Sequence, residues 1–228
     1  DIDKETIAFA KASNQDAIKN ENISQMLRER YTVRNTNLDQ EILNNTSLLL
    51  MNGMEDSLSE NEYQNLSNYI SSGGNLIIAQ NRVKTDLSTQ QANAIESNIF
   101  TLLDSYGLHI KSNLVLDRNC GKVNVQQNLG FLRIPVPMDY PFLPVIQKNS
   151  LNKDIVIVSG LESLRLMFPS EIILVDSMAN TIPLFTSSNQ STSMEEFFNL
   201  NPNPDSNPAF RKLNEDGKIL GAITNPEN

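Results

Sequence analysis

The segment from Thr46 to Ala79 limits the possible folds of this chain more than any other part of the sequence. A continuous apolar run ends at Gly53, as is typical of a strand buried on both faces. Ser59 and Glu62 then have the spacing of a capping box, which predicts the start of a helix. A second apolar run at 75–79 predicts another strand. Strand, helix and strand in this order predict two parallel strands joined by a crossover helix.

Two adjacent glycines, Gly73 and Gly74, precede the second of these strands and raise the question of a phosphate-binding loop. In such a loop the glycines follow a strand and open a helix, so that the helix N-terminus faces the phosphate. Here the order is reversed, and the carbonyl end of the helix, with its partial negative charge, points at the turn. We therefore interpret Gly73 as a helix C-cap in a left-handed conformation.

The alternation of strand and helix extends over residues 1–117. Strand-like segments lie at 5–10, 31–38 and 108–117, and helix-like segments lie at 17–31 and 88–107. Ser88 and Gln91 resemble a second capping box, and Gly107 would end that helix. We expect an α/β fold with a mostly parallel, doubly wound sheet, in which the runs 5–10, 46–52 and 75–79 are adjacent strands.

Residues 118–228 are less regular. Four prolines between 133 and 146 exclude a regular helix there. Further strand-like segments lie at 154–160, 170–176, 182–188 and 217–224. The stretch 199–217 is rich in asparagine and proline and predicts a loop. We expect residues 1–228 to form a single α/β domain with an irregular second half.

Composition excludes several classes of function. The net charge is -9 and the pI is about 4.7, so the chain repels phosphate backbones, and we expect no nucleic-acid partner. With one cysteine and one histidine, an internal disulfide and a multi-ligand Cys/His metal site are both impossible. We predict no metal and no cofactor. The chain begins without methionine, and we interpret it as a segment of a longer protein, so that the lack of a membrane span in this sequence indicates nothing about that protein.

The only thiol, Cys120, is a candidate nucleophile. A nucleophile elbow needs a buried strand before it and a helix after it, whereas Cys120 follows polar residues and precedes a strand-like run. A pair of Cys120 with His109 stays open as an alternative. Asp117 ends a predicted strand and either forms a turn or faces a crevice.

Two site hypotheses follow, one from the expected sheet and one from the proline-rich segment. Ligands of doubly wound folds bind at the carboxyl ends of the strands. Four polar residues lie at two of these ends, namely Asn52, Gln80, Asn81 and Arg82. In the proline-rich segment, Tyr140 and Phe142 provide apolar anchors that either bind a partner protein or complete the core.

The order of several segments resembles a known family, the extracytoplasmic auxiliary component of bacterial ABC transport systems, including the gliding-motility type. The resembling segments are "LLLMNGMEDSLSENEYQNLSNYISSGGNLIIA", "NIFTLLDSYGLHIKSNLVLD", "MDYPFLPVI", "VSGLESLRLMFPSEI" and "IPLFTSSNQS". The resemblance implies a fold like the flavodoxin and class I glutamine-amidotransferase domains. It also implies an extracytoplasmic, periplasmic domain that the full-length protein anchors in the membrane, and it supplies no catalytic residues.

We therefore expect a non-enzymatic domain of an ABC-type transport or gliding-motility system. Its expected partners are the ABC transporter permease or ATPase, or related membrane proteins. Two alternatives stay open: a small-molecule hydrolase or amidotransferase-like enzyme that uses Cys120, and a receptor for a sugar or peptide.

Overall fold

The strand-like segments of the first eighty residues form a four-stranded parallel sheet. In the computed structural model, which describes residues 4–15, 20–129, 132–175 and 180–225, the strand order is β2-β1-β3-β4. The strands are β1 (Thr6–Lys11), β2 (Thr32–Asn37), β3 (Thr46–Asn52) and β4 (Leu76–Ala79). β1 pairs with β3, and β3 pairs with β4, both in parallel. The predicted adjacency of these three strands is therefore confirmed.

Two helices connect the strands of this sheet: α1 (Glu21–Arg28) and α2 (Glu60–Ser71). The described part of α1 is shorter than the predicted helix at 17–31, of which residues 17–19 lie outside the described part of the chain. α2 begins with the predicted capping box of Ser59 and Glu62. Its Leu66 is fully buried, as is Leu49 of β3.

The glycine pair ends α2 as predicted. Gly73 has φ +87°, its N–H donates to Ile70 O at 2.9 Å, and the N–H of Gly74 donates to Tyr69 O at 3.0 Å. These two hydrogen bonds form a Schellman motif. Gly74 must also be a glycine, which the sequence did not show, because a Cβ on residue 74 would lie 2.4 Å from the Tyr69 ring.

The predicted alternation stops after β4. Instead of a long helix, a hairpin of β5 (Val83–Asp86) and β6 (Gln91–Ala94) follows, and only α3 (Ile99–Ser105) is helical. Asp86 accepts hydrogen bonds from the Ser88 and Thr89 hydroxyls at 2.6 and 2.9 Å. These bonds lower the pKa of the exposed Asp86 carboxyl to about 2. Ser88 thus belongs to a hairpin turn, and its prediction as a helix cap was wrong.

The remaining strands pair in antiparallel fashion. They are β7 (Leu108–Ile110) with β12 (Ile172–Leu174), β8 (Asn113–Asp117) with β14 (Ser191–Glu195), β9 (Cys120–Leu129) and β11 (Ser163–Arg165) with β10 (Leu132–Gln147), and β13 (Thr181–Thr186) with β15 (Ile219–Thr224). The predicted strand at 154–160 is largely the one-turn helix α4 (Val156–Ser159).

The prediction of a mostly parallel, doubly wound, flavodoxin-like or amidotransferase-like sheet was therefore wrong. A doubly wound sheet needs a crossover helix before each new parallel strand. After β4 the chain forms the hairpin at 83–94 and the short α3, and the strands that follow have antiparallel partners. The fold consists mostly of small antiparallel sheets with one short parallel sheet.

The chain forms two compact units. Asp1–Gln80 and Glu96–Leu102 make up the first, and Asn81–Ile95 and Leu103–Asn228 make up the second. Whether they behave as one domain, as expected from the sequence, stays a prediction. In the second unit, β8 is buried on both faces: Leu114 and Leu116 pack in an aromatic cluster, and Val115 packs in a separate aliphatic cluster.

Candidate functional site

Cys120 does not have the surroundings of a catalytic thiol. It is half-buried at the start of β9. Burial, followed by the nearby Asp139 carboxylate, raises the pKa of Cys120 to about 11. Only about one thiol in 10⁴ would then be ionised at pH 7, whereas a nucleophilic cysteine needs the thiolate. His109 lies on the exposed surface with its Nδ1 2.9 Å from Asp104 Oδ1, and in the described part of the chain no hydrogen bond joins it to Cys120.

The four polar residues at the predicted strand ends fall in different units. Asn52 and Gln80 belong to the first unit. Asn52 is exposed at the end of β3. The Gln80 side chain makes two hydrogen bonds to the main chain of Met54: its Oε1 accepts from the Met54 N–H at 2.7 Å, and its Nε2 donates to Met54 O at 2.8 Å. Gln80 therefore has a structural role, and its role in ligand binding stays a prediction.

Asn81 and Arg82 belong to the second unit. Arg82 Nη1 donates to Ile110 O at 2.9 Å, and the Arg82 backbone N–H donates to Ser170 Oγ at 3.2 Å. The Asn81 side chain makes a longer contact of 3.4 Å to Met167 O. These bonds attach the start of the unit to β7 and to the segment between β11 and β12. For these two residues as well, ligand binding stays a prediction.

Tyr140 and Phe142 lie in the core of the second unit, with 1% and 0% of their surface exposed. Their rings meet edge to face at 5.2 Å, and Phe168 stacks on Phe142 at 6.0 Å. The Tyr140 hydroxyl donates to Leu200 O at 2.8 Å, and burial raises the pKa of Tyr140 to about 12. This placement matches the core alternative. Buried side chains cannot contact a partner unless the core opens, so their exposure gives the partner-binding prediction no support.

A buried carboxylate organises the polar part of the second unit. Asp117, at the end of β8, is 1% exposed. Its Oδ1 accepts from the Asn119 N–H at 2.8 Å and the Ser188 hydroxyl at 2.7 Å, and its Oδ2 accepts from the Ser188 N–H at 2.6 Å. Within the described residues the carboxylate has hydrogen bonds and no cationic partner. Asp117 therefore forms the turn after β8 and also fastens the chain after β13.

A second serine extends this network. Ser187, which is 2% exposed, donates from its hydroxyl to Ser191 Oγ at 3.0 Å and accepts from the Lys218 N–H at 2.8 Å. Gly217 lies so close that a Cβ on it would be 2.7 Å from Ser187 O. Only glycine fits here without a shift of the main chain. The network thus joins the segment 186–191 to the start of β15.

A polar cleft of about 370 Å³ opens beside this network. Its lining is entirely uncharged and consists of Asn119, Asn149, Ser150, Thr186, Ser187, Ser188, Asn189 and Gly217. Sequence reasoning missed this cleft. The only available signals were Asp117 at a strand end and the hydroxyl-rich "TSSNQS", since nothing in the sequence shows that residues 117 and 188 meet.

Other types of site find no support in the described ranges. No three His, Cys, Asp or Glu side chains lie close enough together there to hold a metal ion. None of the described helices has the length and apolar character needed to cross a membrane.

Comparisons with known proteins connect this architecture to a family. A structure titled "mmIFT52 N-terminal domain" shares the fold, with a TM-score of 0.54 over 81% of this chain and 74% of that chain, at 14% sequence identity. An uncharacterized protein of Borreliella burgdorferi is 21% identical over 202 residues, which cover 83% of this chain and 38% of that protein. The chain therefore spans well under half of this relative. A family model described as "ABC-type uncharacterized transport system" matches residues 4–224.

Proposed function

Because this chain belongs to the family of ABC-type transport auxiliary components, we propose that it is a non-enzymatic, extracytoplasmic domain that binds other proteins of such a system. The observation that carries this proposal is the family match, which extends over residues 4–224 and so includes both units. The partners of this proposal are the permease and ATPase of the transporter, or membrane proteins that accompany them.

The geometry of the described residues supports a binding role over catalysis. The one thiol has a pKa raised to about 11 and no hydrogen-bonded base. The strand-end residues Gln80 and Arg82 are engaged with main-chain groups. A chain of this kind acts through the surfaces that its strands and loops present.

Co-purification tests the proposed partners. The full-length protein carrying an affinity tag would be cross-linked in its native cells and isolated from solubilised membranes, followed by mass spectrometry. We expect permease and ATPase subunits of an ABC transporter to be enriched over a tagged, unrelated membrane protein of similar abundance. Enrichment no greater than in that control would contradict the proposal.

Topology and catalysis can be tested separately. Alkaline phosphatase, which is active only outside the cytoplasm, would be fused to the full-length protein directly after the position of Asn228 in this sequence, and we expect it to be active there. An inactive fusion at normal expression would contradict the proposed location.

We expect Cys120→Ser to leave co-purification and transport unchanged. Loss of transport in a folded Cys120→Ser variant would instead support the enzymatic alternative.

A further inference from the structure

The hairpin of β9 and β10 is the longest strand pair of the second unit, and much of it is exposed. One face carries Val123 and Val125, which are half-buried, and the opposite face carries Asn124 and Gln126, which are exposed. We name residues 122–127 and 133–139 the ribbon. Residues 128–132 are not part of the ribbon.

Prolines determine which backbone groups point outward from the ribbon. Pro135 pairs with Gln126, and Pro137 pairs with Asn124. In an antiparallel pair, opposite residues alternate between those that exchange hydrogen bonds and those whose N–H and C=O groups point away from each other. Proline has no N–H, so both prolines fit only the second kind of pair. Asn124 and Gln126 are then also in outward pairs.

The two edges of the ribbon therefore differ. Along β10, the outward positions 135 and 137 have no N–H donor, which blocks the addition of another strand. Along β9, Asn124 and Gln126 direct both N–H and C=O outward. Within the described residues, no strand pairs with this edge, because β9 is the terminal strand of its sheet. One edge is closed to strand addition, and the other is open.

The charge of this region is opposite to that of the chain. The ribbon and the preceding Arg118 contain three basic residues, Arg118, Lys122 and Arg133, and one acidic residue, Asp139, although the chain carries a net charge of -9. Lys122 lies 3.4 Å from Asp139 across the ribbon, with both side chains largely exposed. Arg118 and Arg133 are exposed as well. The electrostatic complement of the open edge is therefore a segment that carries carboxylates.

We propose that the outer edge of β9 is a docking site for an extended, acidic segment of a partner protein, which adds as a strand next to Asn124 and Gln126. The main-chain groups of these two residues supply the hydrogen bonds, as in other cases of strand addition. The basic side chains of the region select acidic over basic segments. This inference rests on the proposed function, in that the partner belongs to the same transport assembly.

Peptide binding to the 228-residue chain tests the edge directly. The probe is a fluorescently labelled peptide of alternating valine and glutamate, and its counterpart contains lysine in place of glutamate. We expect fluorescence anisotropy to show binding of the acidic peptide, at least 10-fold tighter than that of the lysine peptide and weaker at higher salt. Equal binding of both peptides, or no binding of the acidic one, would overturn the proposal.

Matched variants separate the backbone from the side chains. Asn124→Pro with Gln126→Pro removes the two outward donors, whereas Asn124→Ala with Gln126→Ala keeps them. We expect the proline variant to lose at least 10-fold in affinity and the alanine variant to stay within about 2-fold of the parent. Arg133→Glu leaves the main chain intact and should weaken acidic-peptide binding even if the proline variant fails to fold. Unchanged binding by Arg133→Glu would contradict the charge argument.

Two further outcomes are distinguishable. If sedimentation shows a dimer that the proline variant abolishes, the occupant is a second copy of this chain, and the acidic partner is wrong. In the co-purification experiment, loss of the ABC subunits only from the proline variant supports both proposals. If a folded proline variant still co-purifies with the ABC subunits, the proposed docking at the β9 edge is wrong and the proposed function stands. If the unmodified protein does not co-purify with these subunits, the proposed function is wrong, irrespective of peptide binding.

Discussion

Replacing Glu62 with glutamine should destabilise the protein much more than the same change at neighbouring Glu60. The Glu62 carboxylate is 3% exposed and joins two parts of the first unit. Its Oε1 accepts from the Ser13 N–H at 2.6 Å, just beyond β1, and its Oε2 accepts from the Ser59 N–H and hydroxyl at 2.9 and 2.8 Å. It thus completes the helix cap and also fastens the end of a central strand.

The expected cost follows from these contacts. An amide cannot accept with both of its ends, so the glutamine variant leaves at least one of the Ser13 and Ser59 N–H groups without its acceptor. A lost hydrogen bond to a charged group costs about 1.5–3 kcal/mol. We expect Glu62→Gln to lower the free energy of unfolding by about 2 kcal/mol at pH 7. Glu60→Gln changes the same charge in the same helical turn but at an exposed position, and we expect it to cost less than about 1 kcal/mol.

The pH dependence provides an independent check. Burial alone would raise the pKa of Glu62, but the hydrogen bonds from Ser13 and Ser59 outweigh it and hold the pKa below its ordinary value of 4.5. A carboxyl whose pKa is lowered by folding stabilises the protein above the unfolded pKa, and this stabilisation is lost as the pH falls through the folded pKa. The gap between the parent and Glu62→Gln should therefore be constant from pH 7 to about 5 and narrow below 4.5.

Urea unfolding followed by far-ultraviolet circular dichroism, at pH 7, 5 and 3.5, measures these differences. The reasoning is refuted if Glu62→Gln and Glu60→Gln cost the same at pH 7. It is also refuted if the Glu62→Gln deficit is independent of pH, because the carboxylate would then not be the source of the stabilisation.

Three further predictions concern single side chains. Gly73→Ala should lower the free energy of unfolding by about 1 kcal/mol because residue 73 has a left-handed backbone. Gly74→Ala should lower it more, because the added Cβ displaces the Tyr69 ring and breaks the hydrogen bonds of the Tyr69 hydroxyl to two main-chain carbonyls. If urea unfolding showed Gly73→Ala to be the more destabilising variant, the roles given to the two glycines would be wrong. Leu49→Ala should cost about 2–5 kcal/mol, since the side chain is fully buried, and a cost below about 0.5 kcal/mol would mean that the sheet is wrongly described. Cys120 should react with iodoacetamide at pH 7 at least 10-fold more slowly than free cysteine, given a pKa of about 11, whereas equal rates would show a reactive thiol.

Local signals in the sequence predicted local structure correctly where one element decides the outcome. The capping box of Ser59 and Glu62 and the C-cap at Gly73 are properties of α2 alone, and both are present. The pairing of β1, β3 and β4 was also predictable, because strands that alternate with helices along the chain favour parallel neighbours joined by crossover helices.

The fold class was not predictable, because it depends on how strands pair across long distances. The apolar stripe from Ile95 to Tyr106 predicted a helix that begins near Ser88, but only Ile99–Ser105 is helical, and the residues before the stripe form a hairpin whose turn contains the Ser88–Asp86 hydrogen bond. Hydrophobic periodicity also contains no information on the direction of strand pairing, so the strand that ends at Asp117 has the same sequence pattern whether its neighbour is parallel or antiparallel.

The candidate sites were hidden for a similar reason. Asp117 and Ser188 are 71 residues apart, and neither residue type predicts a contact with the other. The two edges of the ribbon, in contrast, follow from the spacing of Pro135 and Pro137, but only once their partners on β9 are known.

The long strand β10 has a consequence for local unfolding. Residues 133–139 are exposed or half-buried, whereas Tyr140, Phe142 and Ile146 of the same strand are almost fully buried. Amide protons exchange with solvent by local opening where few apolar contacts must break, and only by global unfolding where the core must open. Hydrogen exchange along this one strand should therefore change from fast to slow near residue 140, so the ribbon can open while the aromatic core remains closed.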